Sequence, residues 1–215
     1  MINTGNIDIE NISIFSSWAG AGSIGILMRG REFTTISGAS IFADKPIVIE
    51  PNPSIPEGFI DCDHLHMQDL YLGPQEADGV CIYIAEEVEL TNFVMDGTNS
   101  FVMAKYGVYW NDTITPVNSS NNFSLKNVRM EQSTGTGGYA VYMSHNVALQ
   151  NVLLENISAD YTNGFYFRHC HWVTLLNCVF PHTSGYSVNT DNTCSNFSVI
   201  NCLWQVGSTE SLPAN

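Results

Sequence analysis

The sequence predicts an all-β fold built from about eight stacked repeats, and three observations predict it. A six-residue pattern, apolar–x–Asn–apolar–x–apolar, recurs along the chain in copies such as IENISI, LKNVRM and LLNCVF. Helical periodicity is absent, and short runs of alternating apolar and polar residues take its place. Charged residues make up only 13% of the 215 residues, where roughly 25% is usual. Asn, Ser, Thr and Gly replace them, which is typical of a turn-rich β-repeat protein.

The polar position of the repeat sets the predicted register. Asn fills this position in six copies, and Gly and Asp fill it in two weaker ones. All three residue types tolerate a left-handed backbone and therefore suit a sharp bend. The bends recur on average about every 27 residues, within the range of stacked repeats. The predicted ladder consists of Asn11, Gly38, Asp69, Asn92, Asn127, Asn151, Asn177 and Asn201.

Four glycines, each 13 residues before a predicted bend, mark the start of a first strand in the repeat. They are Gly25, Gly79, Gly138 and Gly164. Gly25 also ends the stretch GAGSIG, which matches the dinucleotide-binding pattern G-x-G-x-x-G. Gly30 and the run Thr34–Ile36 follow where a nucleotide-binding helix would have to begin. We therefore interpret GAGSIG as a turn between coils.

Each repeat contains three short strands separated by bends, and the bends carry an Asn-rich ladder. This arrangement resembles the right-handed parallel β-helix of pectate lyases, polygalacturonases and phage tailspikes. The resemblance covers nearly the whole of residues 1–215. It implies one domain, a single-stranded right-handed parallel β-helix (solenoid) of about eight coils with an Asn/Asp/Gly ladder. The tailspike and polysaccharide-depolymerase β-helices are the most similar, which implies a phage tail (virion) or extracellular location.

Both ends of the sequence lead directly into or out of a coil without an amphipathic cap. An uncapped coil end would expose unpaired strand edges and core residues. We therefore expect the domain to belong to a longer chain or to an assembly.

The cysteines fit the predicted core. Equivalent positions of successive coils lie about 4.8 Å apart and stack in columns. Cys62, Cys170 and Cys194 share one column, and Cys178 and Cys202 share another. We expect buried thiols that pack as small apolar groups. A disulfide between stacked neighbours is the alternative.

Some outward-facing columns are also apolar, and such a stripe should not face water. By analogy with phage spikes we expect a homotrimer interface here, and cover by a terminal segment or loop is the alternative. The stripe comprises Val94, Leu153, Leu176, Val179, Ile200 and Leu203.

Acidic residues gather at the predicted bend between the first and second strands. Asp63 and Glu86 are predicted to share a column one coil apart, and Asp61, Glu87 and Asp112 lie nearby. Paired carboxylates suit glycoside hydrolysis, at about 5–5.5 Å for retention and 6.5–9.5 Å for inversion of configuration. These five residues are the candidate catalytic groups. A solvated turn rim is the alternative interpretation.

Aromatic side chains mark the outer face of the first strand. Flat amphipathic rings beside amide-rich columns suit the binding of sugar rings, although cross-strand stacking alone would also explain them. The candidate carbohydrate-binding residues are Tyr83, Tyr109, Tyr142, Tyr166, Arg168, Trp172 and His145.

Two histidines belong to a candidate metal site. His64 and His66 are predicted to occupy the same columns as Glu87 and Glu89 of the next coil. Two imidazoles and two carboxylates could hold a metal ion, but cross-strand ion contacts explain the pattern as well. No cofactor is expected.

The charge balance restricts the partners. Seven Lys and Arg stand against 21 Asp and Glu, a net charge of −14, which disfavours nucleic acid and anionic membranes. No apolar run reaches the roughly 18 residues that a membrane span needs, so membrane insertion is not expected.

The leading hypothesis is a phage-tailspike-like protein that binds, with or without hydrolysing, a bacterial surface polysaccharide. A non-catalytic structural or adhesive virion protein and a secreted polysaccharide lyase are the alternatives. The Asn189–Asp191 sequence NTD resembles one polygalacturonase motif. The accompanying motifs of that family are absent, so no catalytic role carries over.

Overall fold

The structure is a computed structural model that describes residues 7–15, 22–30, 33–51, 60–74, 78–102, 105–112, 120–132, 137–181, 185–204 and 209–211. Within these ranges the protein is all-β. The strands are β1 (Ile7–Glu10), β2 (Ser13–Phe15), β3 (Ile24–Arg29), β4 (Thr34–Ser37), β5 (Ser40–Phe42), β6 (Lys45–Glu50), β7 (Ile60–Asp63), β8 (Leu65–Gln68), β9 (Tyr71–Gly73), β10 (Val80–Ile84), β11 (Val88–Asp96), β12 (Asn99–Val102), β13 (Tyr106–Asn111), β14 (Asn121–Lys126), β15 (Val128–Glu131), β16 (Tyr139–Glu155), β17 (Ser158–Asp160), β18 (Asn163–Leu176), β19 (Val179–Phe180), β20 (Tyr186–Thr190), β21 (Ser195–Ile200), β22 (Leu203–Trp204) and β23 (Thr209–Ser211).

These strands pair in three recurring series, and the described ladders are parallel. The first series runs β3-β6-β10-β13-β16-β18-β20-β23, and the second runs β1-β4-β8-β11-β14-β16-β18-β21. Strands β16 and β18 pass through the bend between the two series and belong to both. The third series, β2-β5-β9-β12-β15-β17-β19-β22, forms a separate sheet. Each series follows sequence order, so the prediction of stacked parallel repeats is confirmed, and the topology is compatible with a β-helix.

The predicted bend ladder is confirmed at six positions and wrong at two. The register pairs Met67 with Met95 and Leu125 with Leu154. Gly97 and Asn156, rather than Asn92 and Asn151, therefore occupy the bend in their coils. The observed ladder, with φ between 51° and 75°, is Asn11, Gly38, Asp69, Gly97, Asn127, Asn156, Asn177 and Asn201.

A second left-handed ladder lies five residues earlier in each coil. Its members have φ between 51° and 60°, and they are Phe33, His64, Asn92, Asn122, Asn151, Trp172 and Asn196. Amide hydrogen bonds run along it, from Asn122 Nδ2 to Asn92 Oδ1 at 2.8 Å and from Asn151 Nδ2 to Asn122 Oδ1 at 3.1 Å. Both ladders are flanked by alternating apolar residues. The sequence motif consequently matched the wrong bend in two coils.

The core lies between the sheets and is filled by the inward columns. Met95 and Leu154 occupy the column that had been predicted for Leu90 and Leu149. All four side chains are buried, because Leu90 and Leu149 fill a neighbouring inward column.

Among the cysteines, five are buried, Cys202 is partly buried, and all six are free thiols. Burial raises the pKa of the Cys178 thiol to about 12. These observations confirm the prediction that the cysteines pack as core residues.

Close packing explains why glycine opens some first strands. A Cβ atom on Gly25 would lie 2.3 Å from Ile41 Cγ2 and 2.6 Å from the Pro46 carbonyl oxygen. Gly25 lies inside strand β3, so GAGSIG leads into a strand and not into a helix. The prediction that Gly79 and Gly138 share the column of Gly25 is wrong, because both precede the first paired residue of their strands.

Candidate functional site

The outer face of the first strand series carries six tyrosines, which we call the tyrosine face. Strand β13 shows how they are placed: Tyr106 and Tyr109 are half-buried on the outside, and Gly107 and Val108 between them are buried. The register stacks one column of tyrosines across β10, β13, β16 and β18 and a second, shorter column across β13 and β16. The first column is Tyr83, Tyr109, Tyr142 and Tyr166, and the second is Tyr106 and Tyr139.

Rings of the first column lie nearly parallel. The ring centroids are 5.9 Å apart between Tyr83 and Tyr109, 5.2 Å between Tyr109 and Tyr142, and 4.8 Å between Tyr142 and Tyr166, with interplanar angles of 10–11°. The ring faces are therefore turned towards one another. Tyr109 and Tyr142, which have a stacked ring on both sides, therefore expose a ring edge and a hydroxyl group to solvent. The sequence had suggested that flat ring faces would be exposed.

Tyr106 and Tyr139 each contact two rings of the stacked column. The Tyr106 ring lies 4.8 Å from that of Tyr109 and 5.9 Å from that of Tyr142. The Tyr139 ring lies 5.7 Å from those of Tyr142 and Tyr166. Interplanar angles of 58–68° make these edge or tilted contacts, a geometry that aromatic pairs favour. Two rings on this face thus point in a different direction from the stacked four.

The phenol groups of Tyr83, Tyr106, Tyr109 and Tyr166 stay protonated at neutral pH. Partial burial is the main cause that raises the pKa of the Tyr83, Tyr106, Tyr109 and Tyr166 hydroxyls. The negative charge of Glu86 adds to this effect at Tyr83 and Tyr109. A neutral phenol both donates and accepts hydrogen bonds. The face therefore presents a row of neutral hydroxyl groups across successive strands.

Charged side chains border the tyrosine face in pairs. Lys105 Nζ lies 2.9 Å from Asp78 Oδ1, and Arg168 Nε lies 3.6 Å from Asp191 Oδ2. At the opposite end, Arg29 Nε donates to Glu50 Oε1 at 2.6 Å. Lys45 Nζ lies 4.2 Å from the centroid of the Tyr83 ring.

The predicted pairing of Asp63 with Glu86 is wrong. The register places Asp63 beside Thr91 and Asp61 beside Glu89. Glu86 and Glu87 instead lie in the turn after β10. The error arose because the bend was predicted at Asn92 instead of Gly97, so the predicted register of this repeat was five residues out. The prediction that these carboxylates gather at one rim therefore fails for Asp61 and Asp63.

Glu86 and Asp112 occupy equivalent places in neighbouring coils. Each lies two residues beyond a register pair, Ile84 with Trp110, at the ends of β10 and β13. Asp112 is buried, whereas Glu86 is only partly buried. The charge of Glu86 acts on the Tyr83 and Tyr109 hydroxyls of the tyrosine face.

His145 and Trp172 do not join the tyrosine face. His145 is 3% exposed and lies edge-on to the Trp110 ring, with centroids 4.2 Å apart. Burial, with a smaller effect of His169, lowers the His145 pKa to about 3. Trp172 is 54% exposed and stands at a bend of the second ladder. The predicted outward position of His145 is therefore wrong, and Arg168 is the predicted residue that does border the face.

The predicted His/Glu patch does not form. His66 is the register partner of Thr35 and Val94, not of Glu89. His64 stands in the second ladder, where its ring stacks on Phe33 at 4.7 Å and its Nε2 lies 3.3 Å from Asn92 Nδ2. Among the residues that the structure describes, no group of three or more His, Cys, Asp and Glu could hold a metal ion.

Tyr106 and Tyr139 are the site residues that sequence reasoning missed. Their signal was the spacing Tyr-x-x-Tyr in YGVY and YAVY. Strict alternation would place such residues on opposite faces. Here the two residues between them are buried, and both tyrosines of each pair are half-buried on the outer face.

Comparison of the chain with protein-family models, with curated proteins and with solved structures gave no match. Across the described ranges, no helix has the length and apolar character needed to cross a bilayer.

Proposed function

We propose that the chain forms one right-handed parallel β-helix of about eight coils, similar to phage tailspikes, and that the tyrosine face binds a bacterial surface polysaccharide. Three parallel strand series in unbroken sequence order support the single solenoid. Crossovers between parallel strands are right-handed in nearly all proteins, which supports its hand.

The six-tyrosine face is the observation that carries the binding proposal. It crosses four successive strands, so a polymer lying along it meets the same type of side chain at every coil. Protonated phenols match the hydroxyl groups of sugars, and ring edges and tilted rings pack against the apolar faces of sugars. Such a repeated surface suits a repeating ligand.

The binding test uses bacterial capsular and O-antigen polysaccharides in affinity electrophoresis, with Tyr142→Ala as the main variant. Tyr142 contacts four other rings of the face, so its loss should weaken binding at least tenfold. Tyr71→Ala is the matched control, because Tyr71 is an exposed tyrosine on the third strand series, in the separate sheet. Equal loss in both variants, or no retention by the wild type, would refute the proposed function.

Hydrolysis is the second candidate function, and the position of Glu86 favours it. Glu86 lies close enough to Tyr83 and Tyr109 to affect the pKa of both hydroxyls, so a bound polymer would pass beside its carboxylate. Asp112 of the next coil is the candidate partner. Reducing-end release from a retained glycan that disappears in Glu86→Gln would support hydrolysis. If the wild type retains the glycan but releases no reducing ends, the adhesive, non-catalytic function remains.

The proposal includes a homotrimer in a phage tail or another extracellular setting. The last two bends of the first ladder, which we call the main ladder, are at Asn177 and Asn201. Apolar side chains flank these bends, namely Leu176, Val179, Ile200 and Leu203, and Ile200 and Leu203 are exposed. An exposed apolar group of this kind favours contact with another chain.

A further inference from the structure

The distribution of positive charge shows what kind of polysaccharide the tyrosine face can take. The chain has only seven Lys and Arg. Four of them, Arg29, Lys45, Lys105 and Arg168, belong to or directly precede strands of the first series. A concentration of cations beside the candidate site would ordinarily indicate an acidic ligand.

Three of these cations, however, already have a carboxylate partner within the protein, and the fourth, Lys45, is held over an aromatic ring. Arg29 is bound by Glu50, Lys105 by Asp78, and Arg168 by Asp191. Lys45 lies over the face of Tyr83, where the ring quadrupole attracts it. An acidic sugar would have to displace a carboxylate from Arg29, Lys105 or Arg168.

The remaining charges also oppose an acidic ligand. Glu86 adds a further carboxylate beside Tyr83 and Tyr109. The whole chain carries a net charge of −14. At low salt this field extends about 30 Å from the surface, and at about 1 M salt it extends only about 3 Å.

On the basis of the proposed function, we propose that the polysaccharide bound by the tyrosine face is uncharged. The paired cations fix the borders of the face rather than bind the ligand. Neutral phenol groups then make the contacts, and they carry no preference for an anion.

The first experiment compares acidic bacterial polysaccharides with their carboxyl-reduced forms, in which each carboxylate has become a primary alcohol. We expect the wild-type chain to retain neutral polysaccharides and carboxyl-reduced forms. Affinity for them should change less than about twofold between low and high salt, because no counterions are released on binding. Tighter binding of an acidic polysaccharide than of its reduced form would overturn this inference and leave the proposed function standing. Retention of neither form would overturn both.

A charge variant provides the second test. Asp78→Asn frees Lys105 at the border of the tyrosine face, and we expect affinity for the acidic polysaccharide at low salt to rise about threefold. The matched control is Glu131→Gln, which frees Arg129 on the third strand series and should leave that affinity unchanged. An equal rise in affinity for the acidic polysaccharide in both variants would show a general charge effect and would contradict a role of Lys105 at the border of the face. The inference would also be contradicted if an acidic polysaccharide bound the wild type tightly and bound Asp78→Asn with the same affinity.

Discussion

Bulky residues at left-handed bends mark positions where local preference and the observed backbone disagree. Trp172 has φ of 51° in a ladder whose Asn members are Asn92, Asn122, Asn151 and Asn196. A left-handed backbone costs most L-residues roughly 1–2 kcal/mol, and Asn tolerates it best. Trp172 is also 54% exposed, so its packing recovers little of this cost. Strain of this kind often accompanies function.

Trp172→Asn should therefore stabilise the protein. We expect the free energy of unfolding to rise by about 1 kcal/mol, because Asn relieves the backbone cost. Urea unfolding followed by circular dichroism measures it. In the reverse variant, Asn122→Trp, stability should fall, since that side chain bonds to Asn92. An unchanged or lower stability in Trp172→Asn would show that the indole ring contributes more packing than its exposure indicates.

The buried His145 makes stability depend on pH. Its folded-state pKa is lowered to about 3 from 6.5, so the unfolded chain binds a proton below pH 6.5 that the folded chain does not. Stability is therefore lost as pH falls from 6.5 towards 3, by about 1.4 kcal/mol per pH unit. His145→Leu should remove this part of the acid sensitivity. Comparing unfolding free energies at pH 7 and pH 5 for wild type, His145→Leu and the exposed-histidine control His66→Gln tests it, and equal losses in all three would contradict it.

At the scale of the element, the sequence predicted strand type and parallel stacking because alternation and bend residues repeat in every coil. Register was predicted less well. Asn92 and Asn151 stand in bends with the same flanking alternation as Gly97 and Asn156, and only the hydrogen-bond pairing distinguishes them. The carboxylate pairing of Asp63 depended on that register and failed with it, whereas the tyrosine column lies in the first series and was unaffected.

Side-chain amides of the main ladder form hydrogen bonds between neighbouring repeats, in addition to allowing the left-handed bend. Asn127 Nδ2 donates to Asp96 Oδ1 at 2.9 Å, and Asn156 Nδ2 donates to Asn127 Oδ1 at 3.0 Å. Asn127→Gly keeps the backbone freedom but loses both bonds, and Asn127→Ala also incurs the left-handed cost. We expect losses of about 1–2 kcal/mol for Gly and roughly 1–2 kcal/mol more for Ala. Urea unfolding measures both, and equal losses would show that the backbone term is small.

At the scale of the whole molecule, the outer surface differs from coil to coil although the core columns repeat. The tyrosine face spans β10 to β18, while the exposed apolar side chains Ile200 and Leu203 lie on the later strands β21 and β22. The proposed ligand surface and the proposed association surface therefore lie on different strands, which stacked repeats permit because each repeat can carry its own exterior.

If the apolar side chains around the last bends form the trimer contact, a single charge there should separate the subunits. Leu203 is 63% exposed, so Leu203→Asp should leave the fold intact while placing a carboxylate in the interface, where burial of an unpaired charge is costly. Light scattering at micromolar concentration should give three chains per particle for wild type and one for the variant. Ile24→Asp is the control, an exposed apolar residue on β3 that should leave the trimer intact. A monomeric wild type would refute the trimer, and a trimer lost only in Ile24→Asp would place the contact at the early coils instead.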